Sequence, residues 1–261
     1  MPNIVVLVKQ VPDTYSERKL REDDFTMDRE SSDVVLDEIN ENAVEAALQI
    51  KEKHGGKVTV ATIGPEGAID ALRKALSMGA DDAVILSDDA IAGSDAVQTG
   101  WALSSVLDTI EGTDLIVAGN ASTDGGTGAV PAILGVYRGL PVLSNLRSVE
   151  VDGSSISGER ETEDGIYQVK ANLPAIISVT EKANSPRFAS FKGIMAAKKK
   201  PVAKLTLDDV AAEAEQVGAE NAATAVTAVA PKPEKTAGEI ITDDGNGAAK
   251  VVEYLKAQKF I

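Results

Sequence analysis

The residues best suited to chemistry lie between positions 120 and 128, NASTDGGTG. Ser122, Thr123 and Thr127 bring hydroxyl donors, while Gly125, Gly126 and Gly128 let the backbone turn tightly and approach a ligand closely. The four residues before Gly119, namely Leu115, Ile116, Val117 and Ala118, form the short apolar run of a strand buried on both faces of a parallel sheet. A helix beginning near Ala129 aims free N–H groups at any anion held in the loop. Strand, loop and helix together read as a nucleotide-phosphate site. The segment matches neither G-x-G-x-x-G nor G-x-x-x-x-G-K-[ST], so a plain strand-to-helix turn stands as the alternative.

Other chemistries have little to draw on. The chain has no cysteine, which excludes disulfides, thiolate catalysis and cysteine-held metal or iron–sulfur sites. Its one histidine, His54, sits in KEKHGG and reads as a solvated helix-end residue ahead of Gly55 and Gly56, not as half of a catalytic pair. The acids Glu159, Glu161, Glu163 and Asp164 gather around Arg160 on a predicted hairpin and read as exposed charges. A net charge of −15 argues against binding nucleic acid and favours solubility or a basic partner. No apolar run approaches the roughly 20 residues of a membrane span, so direct membrane insertion is not expected and the cytoplasm is the expected location.

The elements that must position the loop follow from periodicity. Residues 4–8, IVVLV, open a buried strand that runs to about Val11 before Pro12 and Asp13 break it. Ala43, Ala46, Ala47 and Ile50 give the helix over 40–53 one apolar face, and KVTVATIG at 57–64 is the next strand. Further helices over 67–78 and 94–110 flank a strand at 82–86 and lead into the strand at 115–118. Four strands alternating with three helices predict an α/β fold with a doubly wound parallel sheet and right-handed crossovers. The loops at 11–15, 63–65, 87–94 and 120–128 then meet beyond the strands' carboxyl ends, where such sheets bind ligands. After Pro141, four alternating segments joined by Asp152-Gly153 and Asp164-Gly165 predict an added antiparallel section. From residue 201 the chain reads as an extended arm through Pro231-Lys232-Pro233, with one helix over 248–259, lying on another surface or hanging free. The domain boundary is therefore expected between 200 and 201.

The segments KQVPD at 9–13, KALSMGAD at 74–81, GERETEDGIYQVKANLPAIIS at 158–178, RFASFKGIMAAKKK at 187–200 and KTAGE at 235–239 resemble the beta subunits of electron transfer flavoproteins in order and spacing. The resemblance implies a Rossmann-like fold of the adenine nucleotide alpha hydrolase type. It implies a heterodimer whose alpha subunit holds most of an FAD while the beta subunit binds AMP. Electrons then pass from acyl-CoA and related dehydrogenases to a membrane quinone oxidoreductase, with no catalytic residue on this chain. On the same resemblance the AMP site falls on Leu7, Asp37, Glu38, Ile39, Asn40, Ile63, Gly119, Asn120, Ala121, Ser122, Thr123, Asp124, Gly125, Gly126, Thr127, Gly128, Ala129 and Val130. Gly128, Ala129 and Val130 replace an asparagine, glutamine and threonine of familiar members, leaving backbone donation there. Asp124 suits a polar or water-mediated contact, since an ionised acid repels phosphate. Ile39 falls where some relatives bring an aromatic to the flavin, and Tyr15 lies one place from another such position.

The segment at about 183–200 resembles the family's recognition loop, which implies partner contacts by Arg187, Phe191, Ile194, Met195, Lys198, Lys199 and Lys200, with Phe191 as anchor. Residues 201–261 are then an arm and helix packing on the alpha subunit. Two alternatives remain: an electron-bifurcating relative with a second FAD in place of AMP, and a nucleotide-sensing module acting without an alpha subunit.

Overall fold

Alternation along the first strand sorts the core into two layers. In β1 (Asn3–Leu7) Ile4 and Val6 point to one side of the sheet and Val5 and Leu7 to the other, and all four are buried. The computed structural model describes residues 1–261 except 231, 235–237 and 239. Pro231, and Lys235, Thr236, Ala237 and Glu239 of the KTAGE segment, thus lie outside the described residues.

After β1 the chain forms β2 (Gln10–Pro12), β3 (Val34–Leu36), α1 (Glu38–His54), β4 (Lys57–Ile63), α2 (Ile69–Met78), β5 (Asp82–Leu86), α3 (Ala96–Asp108), β6 (Leu115–Gly119) and α4 (Val130–Arg138). It continues through β7 (Val142–Asp152), β8 (Ser155–Thr162), β9 (Gly165–Asn172), β10 (Ala175–Val179), α5 (Phe191–Ala197) and β11 (Val202–Leu205), and ends with α6 (Gly247–Ala257). Nine strands make one sheet in the order β11-β5-β4-β1-β6-β10-β7-β8-β9, parallel from β11 to β7 and antiparallel from β7 to β9. Helices α1, α2 and α5 contribute to the core on one face and α3 and α4 to that on the other, so the sheet is doubly wound. Strand order reverses between β1 and β6, which puts the switch point beside the glycine loop.

Three expectations are corrected. The first strand does not run on to Val11: it stops at Leu7, because the polar Lys9 turns its N–H to the Asn40 side chain (2.7 Å), and Val11 belongs to β2, paired antiparallel with β3. The section after Pro141 is antiparallel only through β9. Strand β10 lies parallel between β6 and β7, and its five apolar-to-small residues, AIISV, are all buried, the pattern of a central strand. Residues 201–226 are no free arm either. Strand β11 pairs parallel with β5, Ala212 and Val217 are buried in the core on the α3 side, and Trp101 donates to Gln216 (2.8 Å). The compact unit therefore spans Met1–Val226, and the second unit is Thr227–Ile261. Within that second unit, α6 has no buried residue and exposes Val251, Val252 and Tyr254.

The position of β10 has a measurable consequence. Ile176→Val removes one methylene from a fully buried site and is expected to cost about 1 kcal/mol in urea denaturation. Ile166→Val on the exposed outer strand β9 is expected to cost too little to measure; equal losses at both sites would contradict this strand order.

Candidate functional site

A cleft of about 290 Å³ opens beyond the carboxyl ends of β1, β4 and β6, near the size at which small-molecule sites begin. Of the residues expected there, Leu7, Asn40, Ile63, Gly119, Asn120, Ala121, Ser122, Gly125, Thr127, Gly128 and Val130 line it. The start of α3 closes the opposite side with Ser94, Asp95, Ala96 and Thr99, of which only Ser94 falls in a loop expected to converge.

The remaining expected residues do not line the cleft. Asp37, fully buried, caps α1 by accepting the N–H groups of Ile39 (3.0 Å) and Asn40 (3.3 Å) on one oxygen. Its other oxygen accepts the N–H (2.7 Å) and hydroxyl (2.9 Å) of Thr123, so one carboxylate ties the helix to the glycine loop. Glu38 is exposed and accepts from the Thr14 hydroxyl (2.9 Å). Ile39 packs behind Gly119, where a Cβ would come within 2.6 Å of Asn40 Nδ2 and 3.1 Å of Ile39 Cγ2, so the strand end has no room for a side chain. Gly126 and Gly128 take positive φ, and the Gly126 N–H closes a turn on the Ser122 carbonyl (2.9 Å). Ala129 leads into α4 and accepts from Ile133 N–H (3.0 Å).

Three cations missed in the sequence surround this loop. Lys9 Nζ reaches Asp124 at 2.8 Å and Ser122 Oγ at 3.4 Å; Arg29 meets the other Asp124 oxygen at 2.6 Å; Arg18 donates to the Thr123 carbonyl at 2.5 Å. Burial pushes the Asp124 carboxyl up, but the hydrogen bond and charge of Lys9, then Ser122 and Arg29, outweigh it and hold it well below the usual carboxylate range. Asp124 is thus ionised, with its side chain only 1% exposed and its charge shared between two cations. Lys9 lies two residues beyond a strand's carboxyl end, which is the one signal that points to it; Arg18 and Arg29 sit in a loop without periodicity.

Two buried polar atoms here have no partner among the described residues: Asn120 Oδ1, on the cleft wall, and Arg29 Nη1. An acceptor, loop hydroxyls, loop N–H groups and the Lys9 ammonium suit a polar, anionic ligand with its own donors.

The second predicted set divides. Phe191 opens α5 at 81% exposure, Ile194 and Met195 are exposed, and Lys198 and Lys199 face solvent. Arg187 instead turns inward onto Glu45 and Glu52, and Lys200 bonds the Ala80 carbonyl, so both are occupied within the chain. Phe188, not singled out in the sequence, is 96% exposed beside them. The hairpin acids behave as expected of surface charges, Glu161 pairing with Lys182 (2.8 Å) and Glu159 accepting from Gln168 (2.8 Å).

No helix among the described residues is long and apolar enough to cross a membrane. Known proteins complete the picture. The family described as electron transfer flavoprotein domain matches residues 24–210. A Mycobacterium tuberculosis protein named electron transfer flavoprotein subunit beta is 61% identical, with both chains covered completely. Proteins of the same name from Thermoanaerobacterium thermosaccharolyticum (37% identical, 99% of this chain and 100% of that one) and Bacillus subtilis (33%, 98% of each) are similar along their whole lengths too. With its sheet, its cleft and this end-to-end similarity, the chain belongs to the electron transfer flavoprotein family, among the beta subunits.

Proposed function

We propose that this chain pairs with an alpha subunit to form a soluble electron carrier of the cytoplasm. The carrier accepts electrons from flavin dehydrogenases such as acyl-CoA dehydrogenases and passes them to a membrane quinone oxidoreductase. The observation that carries this reading is a nucleotide-sized cleft at the sheet's switch point in a chain similar from end to end to proteins named electron transfer flavoprotein subunit beta.

In this reading the cleft holds AMP as a structural ligand. The fit rests on the orphaned Asn120 acceptor, the side-chain-free approach at Gly119, and the Lys9 ammonium and loop donors suited to phosphate. Ser122 and Thr127 orient the phosphate, while Lys9 and Arg29 keep the Asp124 charge from opposing it. FAD, when bound and held mostly by the alpha subunit, supplies the electron exchange at its own ring. This chain positions the carrier against its partners: Phe191, Ile194 and Met195 offer apolar area, and Lys198 and Lys199 steer acidic surfaces. The exposed apolar side of α6 packs on the alpha subunit.

Nucleotide extraction from the purified heterodimer tests the site: AMP and FAD in equal amounts are expected. Two FAD without AMP would establish the bifurcating type, and a stable flavin-free monomer would end the carrier reading. Phe191→Ala is expected to lower kcat/KM for reduction by a partner dehydrogenase about tenfold or more with FAD content unchanged. Loss of FAD instead would make Phe191 structural.

A further inference from the structure

The docking segment is fastened at both ends, and the fastenings leave its aromatic side chains outside. At its start Asn42 of α1 donates to the Asn184 carbonyl (2.9 Å) and Asn184 donates back to the Asn42 carbonyl (3.0 Å). Three residues on, Arg187 spans two acids of the same helix. Its Nε and Nη2 meet the two oxygens of Glu45 at 2.6 and 3.0 Å, and its Nη1 and Nη2 meet those of Glu52 at 2.5 and 3.1 Å. At the far end Arg73 of α2 donates to the carbonyls of Ala197 (2.6 Å) and Lys200 (2.5 Å), while Lys200 itself bonds the Ala80 carbonyl. Midway, Gly193 lies so close to α2 that a Cβ there would be 2.4 Å from the Ser77 carbonyl oxygen. Between these fixings, Phe188 and Phe191 stand 96% and 81% exposed.

Glu45 makes this arrangement hard to undo. It is 4% exposed, and burial pushes its carboxyl up, yet hydrogen bonds from Arg187 and Gln49 and the Arg187 charge outweigh that and hold it below the usual range. The same contacts, with those from Glu52, raise the Arg187 guanidinium above its ordinary value. An arginine that left Glu45 to reach a partner would strand a buried charge. A flat guanidinium can hold two carboxylates in fixed directions, which a lysine cannot do. Large aromatic side chains held outward before docking lose less freedom on binding, so the fixings raise affinity without touching the partner.

Resting on the docking role given above, we propose that Arg187 is a positioning residue and not a partner contact. Through Glu45 and Glu52 it holds Phe188 and Phe191 as one pre-formed, two-aromatic anchor for an apolar pocket on a partner flavoprotein.

The test uses the purified heterodimer as varied substrate for an acyl-CoA dehydrogenase of the same organism, with hydrogen exchange read over residues 188–197. Arg187→Gln is expected to raise KM about tenfold with kcat within about twofold, to keep FAD content, and to speed exchange across the segment. Arg187→Lys should recover little of the KM. In a variant already lacking both aromatics (Phe188→Ala with Phe191→Ala), adding Arg187→Gln should raise KM no further, because there is nothing left to position. Multiplying effects, or unchanged exchange in Arg187→Gln, would overturn the proposal and return Arg187 to the partner interface. If the double aromatic variant alone leaves KM unchanged, the docking role itself fails, while faster exchange in Arg187→Gln would still support the fixing of the segment. Should Arg187→Gln not fold, Glu52→Gln loosens the same clamp at an exposed acid, and a smaller shift in the same directions is expected; no shift in exchange there overturns the proposal.

Discussion

Asp37→Ala is expected to destabilise the protein by about 3–5 kcal/mol and, on the proposed role of the cleft, to yield a purified heterodimer without AMP. The size follows from what the carboxylate holds. One oxygen caps α1, and a lost cap costs about 1 kcal/mol. The other accepts both the N–H and the hydroxyl of Thr123, a half-buried residue, and leaving these donors unpaired costs about 1–3 kcal/mol each, the lower figure applying where water reaches them. Asp37 is fully buried, whereas Thr123 is half-buried, which keeps the expected loss toward the lower end of the summed costs. Urea denaturation measures the first effect and nucleotide extraction the second. Asp37→Asn keeps one acceptor and should fall between, since a single amide oxygen serves the helix or the loop but not both. Undiminished stability in Asp37→Ala would mean that Thr123 is held by something else.

Asp124→Asn is expected to cost about 2 kcal/mol at neutral pH, below the 3–5 of a fully buried pair because Lys9 and Arg29 reach solvent. Its pH dependence is more telling than its size. The folded carboxyl titrates well below its unfolded range, so its contribution is complete above the unfolded pKa and is lost as pH falls toward the depressed folded value. The gap between wild type and Asp124→Asn should therefore be full above about pH 5 and close progressively in acid. A gap that is constant with pH would show that the carboxylate charge is not what Lys9 and Arg29 hold.

How much of this was legible depended on the range of the interaction. The strands β1, β4, β5 and β6 announce themselves as unbroken apolar runs, and the helices between them end at glycines such as Gly55 and Gly79, so the doubly wound half and the place of its glycine loop follow from local pattern. Strand β10 carries the same apolar signature, but its spacing after two hairpins suggests a third antiparallel neighbour, and only tertiary pairing decides otherwise. Ala212 and Val217 bury singly, without a period to betray that residues 201–226 join the core. At the site, the loop's glycines and hydroxyls are visible in sequence, whereas Arg18 and Arg29 arrive from about a hundred residues away. Arg187 is the clearest limit: the resemblance of its segment gives the residue a place, but the ion pairs with Glu45 and Glu52, more than 130 residues away in sequence, come only with the fold.

Strand β10 also sets an order of events during synthesis. A nascent chain that has emerged through residue 172 has β6 paired only with β1, and the hairpins of β7, β8 and β9 have no parallel strand to join. Asn120, at the root of the glycine loop, gives its N–H to the Val179 carbonyl (2.9 Å), the last residue of the missing strand. The glycine loop is thus anchored by a segment the ribosome delivers some sixty residues later. Release of residues 175–179 lets β10 pair with β6 and β7 and gives the Asn120 N–H its partner, and only β11, at residues 202–205, is then left to join the sheet.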